Sequence, residues 1–93
     1  MSKELLSNFE LMSEYFYYIA LLDMLAGIPF GQLENRVLHY EDKEMYEACH
    51  GIRAAIDEAE YYTLKQLELR IVEFEVENKN KIENEFSKLE MYL

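Results

Sequence analysis

Residues 42–77, DKEMYEACHGIRAAIDEAEYYTLKQLELRIVEFEVE, decide the fold class, because they hold one glycine, no proline and an unbroken helical pattern of apolar residues. Ala48, Ile52, Ala55, Ala59, Tyr62, Gln66, Leu69, Val72 and Val76 recur at a spacing of about 3.5 residues, which lines one side of a helix. Met45, Cys49, Ile52, Ile56, Leu64, Leu67, Ile71 and Phe74 form a neighbouring stripe with a period of about 3.6. Two adjacent stripes make an apolar face wider than the seam of a two-stranded coil. The pattern predicts a single long helix over 42–77, with Glu41 and Asp42 placed where the helix dipole favours acids.

Upstream, Gly27 to Gly31 (GIPFG) is the strongest punctuation in the chain. Before it, Leu5, Phe9, Met12, Phe16 and Ile19 make one helical stripe, and Leu11, Tyr15, Tyr18, Leu22 and Leu25 make a second beside it. From Tyr15 to Ala26 the helix is apolar nearly all round, so it is expected to lie centrally or to meet a second chain. Ser2 or Ser7 suits its N-cap, and Gly27 suits the left-handed position that ends a helix. Gln32 to Tyr40 reads as a short helix with Leu33, Val37 and Tyr40 inward. A break is expected in Asn78–Lys81, after which Ile82, Phe86, Leu89 and Leu93 restore a helical stripe.

The expectation is therefore an all-α fold in one domain, 1–93, with helices at about 3–26, 31–40, 42–77 and 80–92. It would be a small bundle of three or four helices containing one long helix. At 1.5 Å per residue the long helix spans about 54 Å and the first about 36 Å. The first cannot cover the second, so homodimerisation is expected to complete the core.

Charge narrows the function. Nineteen acids against nine bases give a net charge of −10, and residues 31–60 hold eight of those acids against three bases. There is no Lys/Arg cluster, which argues against direct nucleic-acid binding. An acidic body is repelled by anionic membrane surfaces, and the longest apolar run, Tyr15–Leu22, falls well short of the roughly 20 residues of a membrane span. The single Cys49 has no disulfide partner, and the acids within the first 14 residues do not suit a signal peptide, so a cytoplasmic location is expected.

Few residues point to chemistry. His39 and His50 show no Cys/His spacing suited to zinc, and the chain has neither a Gly-rich phosphate loop nor a nucleophile elbow. No cofactor and no enzymatic activity are expected. Glu47 and His50, at Glu-x-x-His spacing, share a helical face. At these positions the chain resembles the ferritin-like carboxylate bundles, and the resemblance implies Glu14 as a further metal ligand beside Glu47 and His50. The plain alternative is a solvated glutamate beside a half-exposed histidine. Cys49 lies on the apolar stripe and reads as a small core residue. Asp23 interrupts the first helix's stripe, and either pairs with Arg53 or Arg70 or lies at a solvent-facing edge. Gln66 interrupts the long helix, as a register-setting polar residue or a boundary position.

What remains is a surface. Tyr17, Tyr46 and Tyr61 point away from the main stripes, and tyrosine at such positions suits a protein interface. Glu34, Glu41, Asp42, Glu44, Glu47, Asp57, Glu58 and Glu60 supply the acidic surface. The leading expectation is an acidic helical interaction module that binds and regulates or inhibits a larger protein bearing a basic surface. A sharper form has these carboxylates mimic phosphates, since the chain is similar in size, charge and helicity to small acidic phage proteins that block nucleic-acid-binding defence enzymes. The other classes are a ferritin-like metal-binding bundle and a structural or assembly subunit.

Overall fold

The computed structural model describes residues 2–92, with side chains placed for 9–90. The chain forms helices α1 (Ser2–Leu25), α2 (Phe30–Asp42), α3 (Tyr46–Ala59) and α4 (Leu64–Glu77), a π-helical segment (Lys81–Phe86) and a final helix α5 (Ser87–Tyr92). No strand occurs among the described residues, so the fold is all-α. The expectations for the side chains of Ser2, Leu5, Ser7 and Leu93 lie outside the described residues.

The single helix expected over 42–77 is two helices, and Asp42 belongs to the one before them. Thr63 begins α4 with a reciprocal cap: the Gln66 N–H donates to Thr63 Oγ1 at 3.2 Å, and the Thr63 N–H donates to Gln66 Oε1 at 2.9 Å. This capping box satisfies donors that the start of a helix would otherwise leave bare. Gln66, which interrupts the apolar stripe, is therefore the third residue of a new helix and sets no register.

The boundary between α2 and α3 has a different cause. The Glu44 N–H donates to the Glu41 carbonyl at 3.0 Å and the Met45 N–H to the Tyr40 carbonyl at 2.9 Å, a Schellman closure with Glu44 in the left-handed region at φ 58°. The end of α1 uses the same motif, with Gly27 at φ 96° and Gly27 and Ile28 donating to Met24 and Asp23. One left-handed position is filled by glycine and the other by a residue that pays for its Cβ.

α1 runs through the centre, burying Tyr15, Phe16, Tyr17, Tyr18, Ala20, Leu21 and Met24. α3 crosses it at very close range on a face of Ala48, Gly51, Ala55 and Ala59. A Cβ on Gly51 would overlap the Ser13 carbonyl oxygen and stand 2.8 Å from the Tyr17 backbone nitrogen. α2 adds Leu33 and Val37 beside α3, and α4 turns back to bury Leu67, Ile71 and Phe74. Phe74 stacks on Tyr18, with ring centroids 5.2 Å apart.

The expected interruption near Asn78 is present. α4 ends at Glu77, and the Asn78 side-chain amide donates to the Phe74 carbonyl at 3.0 Å. The π-helical segment then sets the buried Phe86 edge-on against Tyr15, while Lys81 reaches Glu14 at 2.6 Å. The return of α4 covers α1 within one chain. The radius of gyration, 13.2 Å, lies near the about 12 Å of a compact chain this long. The uncovered long helix that called for a second chain is thus absent. Among the described residues no helix is long and apolar enough to cross a membrane.

Two substitutions test this backbone. Gly51→Ala gains about 1 kcal/mol of helix propensity but forces a methyl into main-chain atoms that cannot rotate away. A net loss of about 3 kcal/mol is expected, read from the urea midpoint. Glu44→Gly relieves the left-handed strain and should raise stability by about 0.5–1 kcal/mol in the same assay.

Candidate protein-binding groove

Glu34, Leu38 and Glu41 follow one another at helical spacing and share a face of α2. Arg53, Ile56 and Asp57 do the same on α3. Between the two helices lies an open groove of about 320 Å³ lined by Glu34, Val37, Leu38, Arg53, Ile56 and Asp57. Its floor is apolar. Val37 and Ile56 are buried, whereas Leu38 keeps 58 % of its surface exposed although it sits between two core-facing helices.

Its rim is charged. Arg53 pairs with Glu41 across the helices. Both side chains of that pair are well exposed, so it is a weak tether that leaves the guanidinium able to turn. Among the described residues, no basic group lies within ion-pair distance of Glu34 or Asp57. The groove therefore offers two uncompensated carboxylates around an aliphatic floor.

No protein-family model, curated protein or solved structure matches this chain.

The groove gathers three of the expected partner-binding residues, Glu34, Glu41 and Asp57. Asp42 is exposed at the last position of α2, Glu44 in the turn after it, and Glu60 beyond the end of α3. Tyr46 and Tyr61 are also exposed, Tyr61 at 86 %, but they flank the two ends of α3.

Two expectations are corrected. Tyr17, expected to point away from the main stripes, is buried in the core. Glu58 belongs with it in a network that ties α1, α3 and α4 together. The Tyr17 hydroxyl donates to Glu58 Oε2 at 2.6 Å, Tyr62 donates to Oε1 at 3.0 Å, and Arg70 Nε donates to both Glu58 Oε1 and the Tyr17 oxygen. The Arg70 guanidinium also lies over the Tyr17 ring, 5.7 Å from its centroid. Asp23, for its part, pairs with Arg36 at 2.5 Å, so neither Arg53 nor Arg70 serves it.

The metal set does not assemble. Glu14 is engaged by Lys81, His50 lies beside Phe9 with rings 6.1 Å apart, and no group of three or more His, Cys, Asp or Glu is placed to hold an ion among the described residues. Glu14, Glu47 and His50 do not converge. Cys49 is buried as expected; its thiol donates to the Val37 carbonyl at 3.4 Å, and burial raises its pKa.

Sequence reasoning missed the groove's floor. Leu38 lies off the Leu33/Val37 stripe, and its signal was there: a leucine framed by Glu34 and Glu41 at helical spacing.

The part-buried network around Glu58 makes stability depend on pH at both extremes. Burial acts to raise the Glu58 carboxyl, but hydrogen bonds from Tyr17 and Tyr62 and the Arg70 charge outweigh it and hold the group below its usual value. That contribution is complete above the unfolded pKa of about 4.3 and is lost as pH falls. Burial, then the bond to Glu58, pushes the Tyr17 phenol well up, and burial with the bond to Glu75 raises Tyr18 to about 12. Those contributions are complete below about pH 10 and fade as pH rises through the folded values. The urea midpoint is expected to be flat from about pH 6 to 9 and to fall on both sides. Tyr17→Phe should cost about 1 kcal/mol at neutral pH and shallow the alkaline fall.

Proposed function

We propose that this protein is an acidic helical interaction module whose α2/α3 groove docks a basic, amphipathic segment of a larger protein and thereby regulates or inhibits it. The observation that carries the reading is the pairing of an aliphatic floor, Val37, Leu38 and Ile56, with the carboxylates of Glu34 on α2 and Asp57 on α3. Burying Leu38 against an apolar anchor supplies hydrophobic free energy. Lys or Arg residues flanking that anchor meet Glu34 and Asp57, and Glu41 becomes available if Arg53 swings away. A net charge of −10 attracts a basic segment from a distance and raises its association rate.

The distribution of carboxylates favours a protein segment over a phosphate-binding channel. Glu41 and Glu58 are matched by Arg53 and Arg70 within the molecule, which interrupts the row of acids that a phosphate mimic would present. An apolar floor has no counterpart in a nucleic-acid backbone, whereas it suits the leucine or phenylalanine of an amphipathic helix.

The test is a titration of the full chain with a synthetic amphipathic peptide carrying Lys flanking Leu, followed by amide and methyl shifts in the nuclear magnetic resonance spectrum. Shifts should concentrate on Val37, Leu38 and Ile56. The double charge reversal Glu34→Lys with Asp57→Lys should weaken binding at least about 10-fold while leaving the thermal melt in place. Raising salt should weaken binding as well. Equal affinity for the parent and the double variant would sink the groove reading.

A further inference from the structure

Along α2 the rim of the groove has a spacing of its own. Glu34, Leu38 and Glu41 stand at i, i+4 and i+7, within about 60° of one another around the helix, and none of them is buried. The row reads acid, leucine, acid over about 10.5 Å, two helical turns. The two acids differ in state. Glu34 has no base within ion-pair distance among the described residues, whereas Glu41 is held by Arg53 from α3. Among the residues that line the groove Arg53 is the one base, and it occupies one of the two acid positions of the row.

We propose that the groove takes a helix of another protein carrying two basic residues seven apart, with an aliphatic residue three or four positions after the first. This rests on the groove reading above and adds to it the register of the partner. Helices packed nearly side by side rise equally per residue, so acids seven apart on α2 face bases seven apart on the partner. A parallel partner sets its first base by Glu34, an aliphatic residue four positions on at Leu38, and its second base by Glu41. An antiparallel partner reverses the order and places the aliphatic residue three positions on. The interval of seven holds in both directions. The chain's own sequence sets aside a second copy as the occupant. Its pairs of bases seven apart are Arg36 with Lys43 and Lys81 with Lys88. At the matching positions Lys81 and Lys88 frame Asn84 and Glu85, which are polar. Tyr40, between Arg36 and Lys43, packs on Phe16, and Arg36 is bound to Asp23.

Arg53 makes the exchange at Glu41 possible. Asp57 stands one turn beyond it on α3, at i+4, and lines the same groove with no base in ion-pair range among the described residues. When the partner's second base takes Glu41, the guanidinium has Asp57 to turn to, so one ion pair is gained and none is lost. A second base five positions from the first lies about 140° round the partner helix. It misses the row and leaves Glu41 with Arg53. Exposed pairs are each worth little, so the preference for an interval of seven is roughly two- to fivefold.

The test uses two labelled, alanine-based helical peptides of equal composition, each with one leucine four positions after the first of two lysines. The second lysine lies seven positions after the first in one peptide and five in the other. Fluorescence anisotropy with the full chain at low salt should show the seven-spaced peptide binding roughly two- to fivefold more tightly. On Glu41→Gln the two peptides should bind equally. On Arg53→Gln the preference should widen, because Glu41 is then free in advance. Both variants should keep the parent's circular-dichroism melt, since the pair they break is well exposed. Equal binding of the two peptides to the parent, a preference that survives Glu41→Gln, or one that narrows on Arg53→Gln would each overturn the spacing while leaving the groove as the binding face. Binding of neither peptide would overturn the groove reading and this inference together.

Discussion

The crossing of α1 and α3 at Gly51 is the constraint around which the other helices are arranged. Main-chain atoms of the two helices approach so closely there that no side chain fits between them, and α3 meets this with Ala48, Gly51, Ala55 and Ala59 on one face. The close approach lets α1 give up one side to α3 with little intervening volume. Its large side chains are then free to turn elsewhere. Phe16 meets Tyr40 of α2, Tyr18 meets Phe74 of α4, and Tyr15 meets Phe86 of the π-helical segment. A helix that is apolar nearly all round is stable in water only because each of its sides finds a neighbour in this way.

A second layer of specificity is polar. Glu58, Arg70, Tyr17 and Tyr62 join α1, α3 and α4 through directional hydrogen bonds that favour the observed setting of α4. Packing of Leu67, Ile71 and Phe74 alone would tolerate some rotation about the helix axis, whereas a carboxylate shared by two phenols and a guanidinium would not. The same network divides the acids into two populations. Glu14, Asp23 and Glu58 are held by Lys81, Arg36 and Arg70 and serve the fold. Glu34 and Asp57 have no such partner among the described residues, and it is they that border the α2/α3 groove. Total charge overstates the surface available to a partner, and the unpaired carboxylates locate it.

Helix termini show how far the chain could be read in advance. Gly27 announces a left-handed helix end because glycine tolerates it, and α1 does end there. Glu44 adopts the same closure with no such signal, held by two main-chain bonds after Tyr40 and Glu41. Thr63 and Gln66 do carry a signal, a capping box, but it lies inside an apolar periodicity that runs on through the turn. Stripes of side chains continue in register across a break of three or four residues, so periodicity alone joins α3 to α4. The site was legible to a similar degree: Glu34, Glu41 and Asp57 belong to the acidic set read from the sequence, while Leu38 and Ile56 become a floor only when α2 and α3 lie side by side.

Composition and periodicity by themselves determined that the chain is helical, that its first helix is apolar nearly all round, and that its surface is acidic. These properties follow from each residue's own chemistry and from spacing along one helix, and neither needs a distant neighbour. Only the tertiary structure decided that 42–77 folds back on itself, that Tyr17 and Glu58 are cross-links within the molecule, and that Leu69, Val72 and Val76 face outward. An amphipathic pattern shows that a face is apolar without showing what covers it, and an acid shows its charge without its partner. Both depend on which helices meet, and here α1 and α3 meet through a close backbone approach at a glycine.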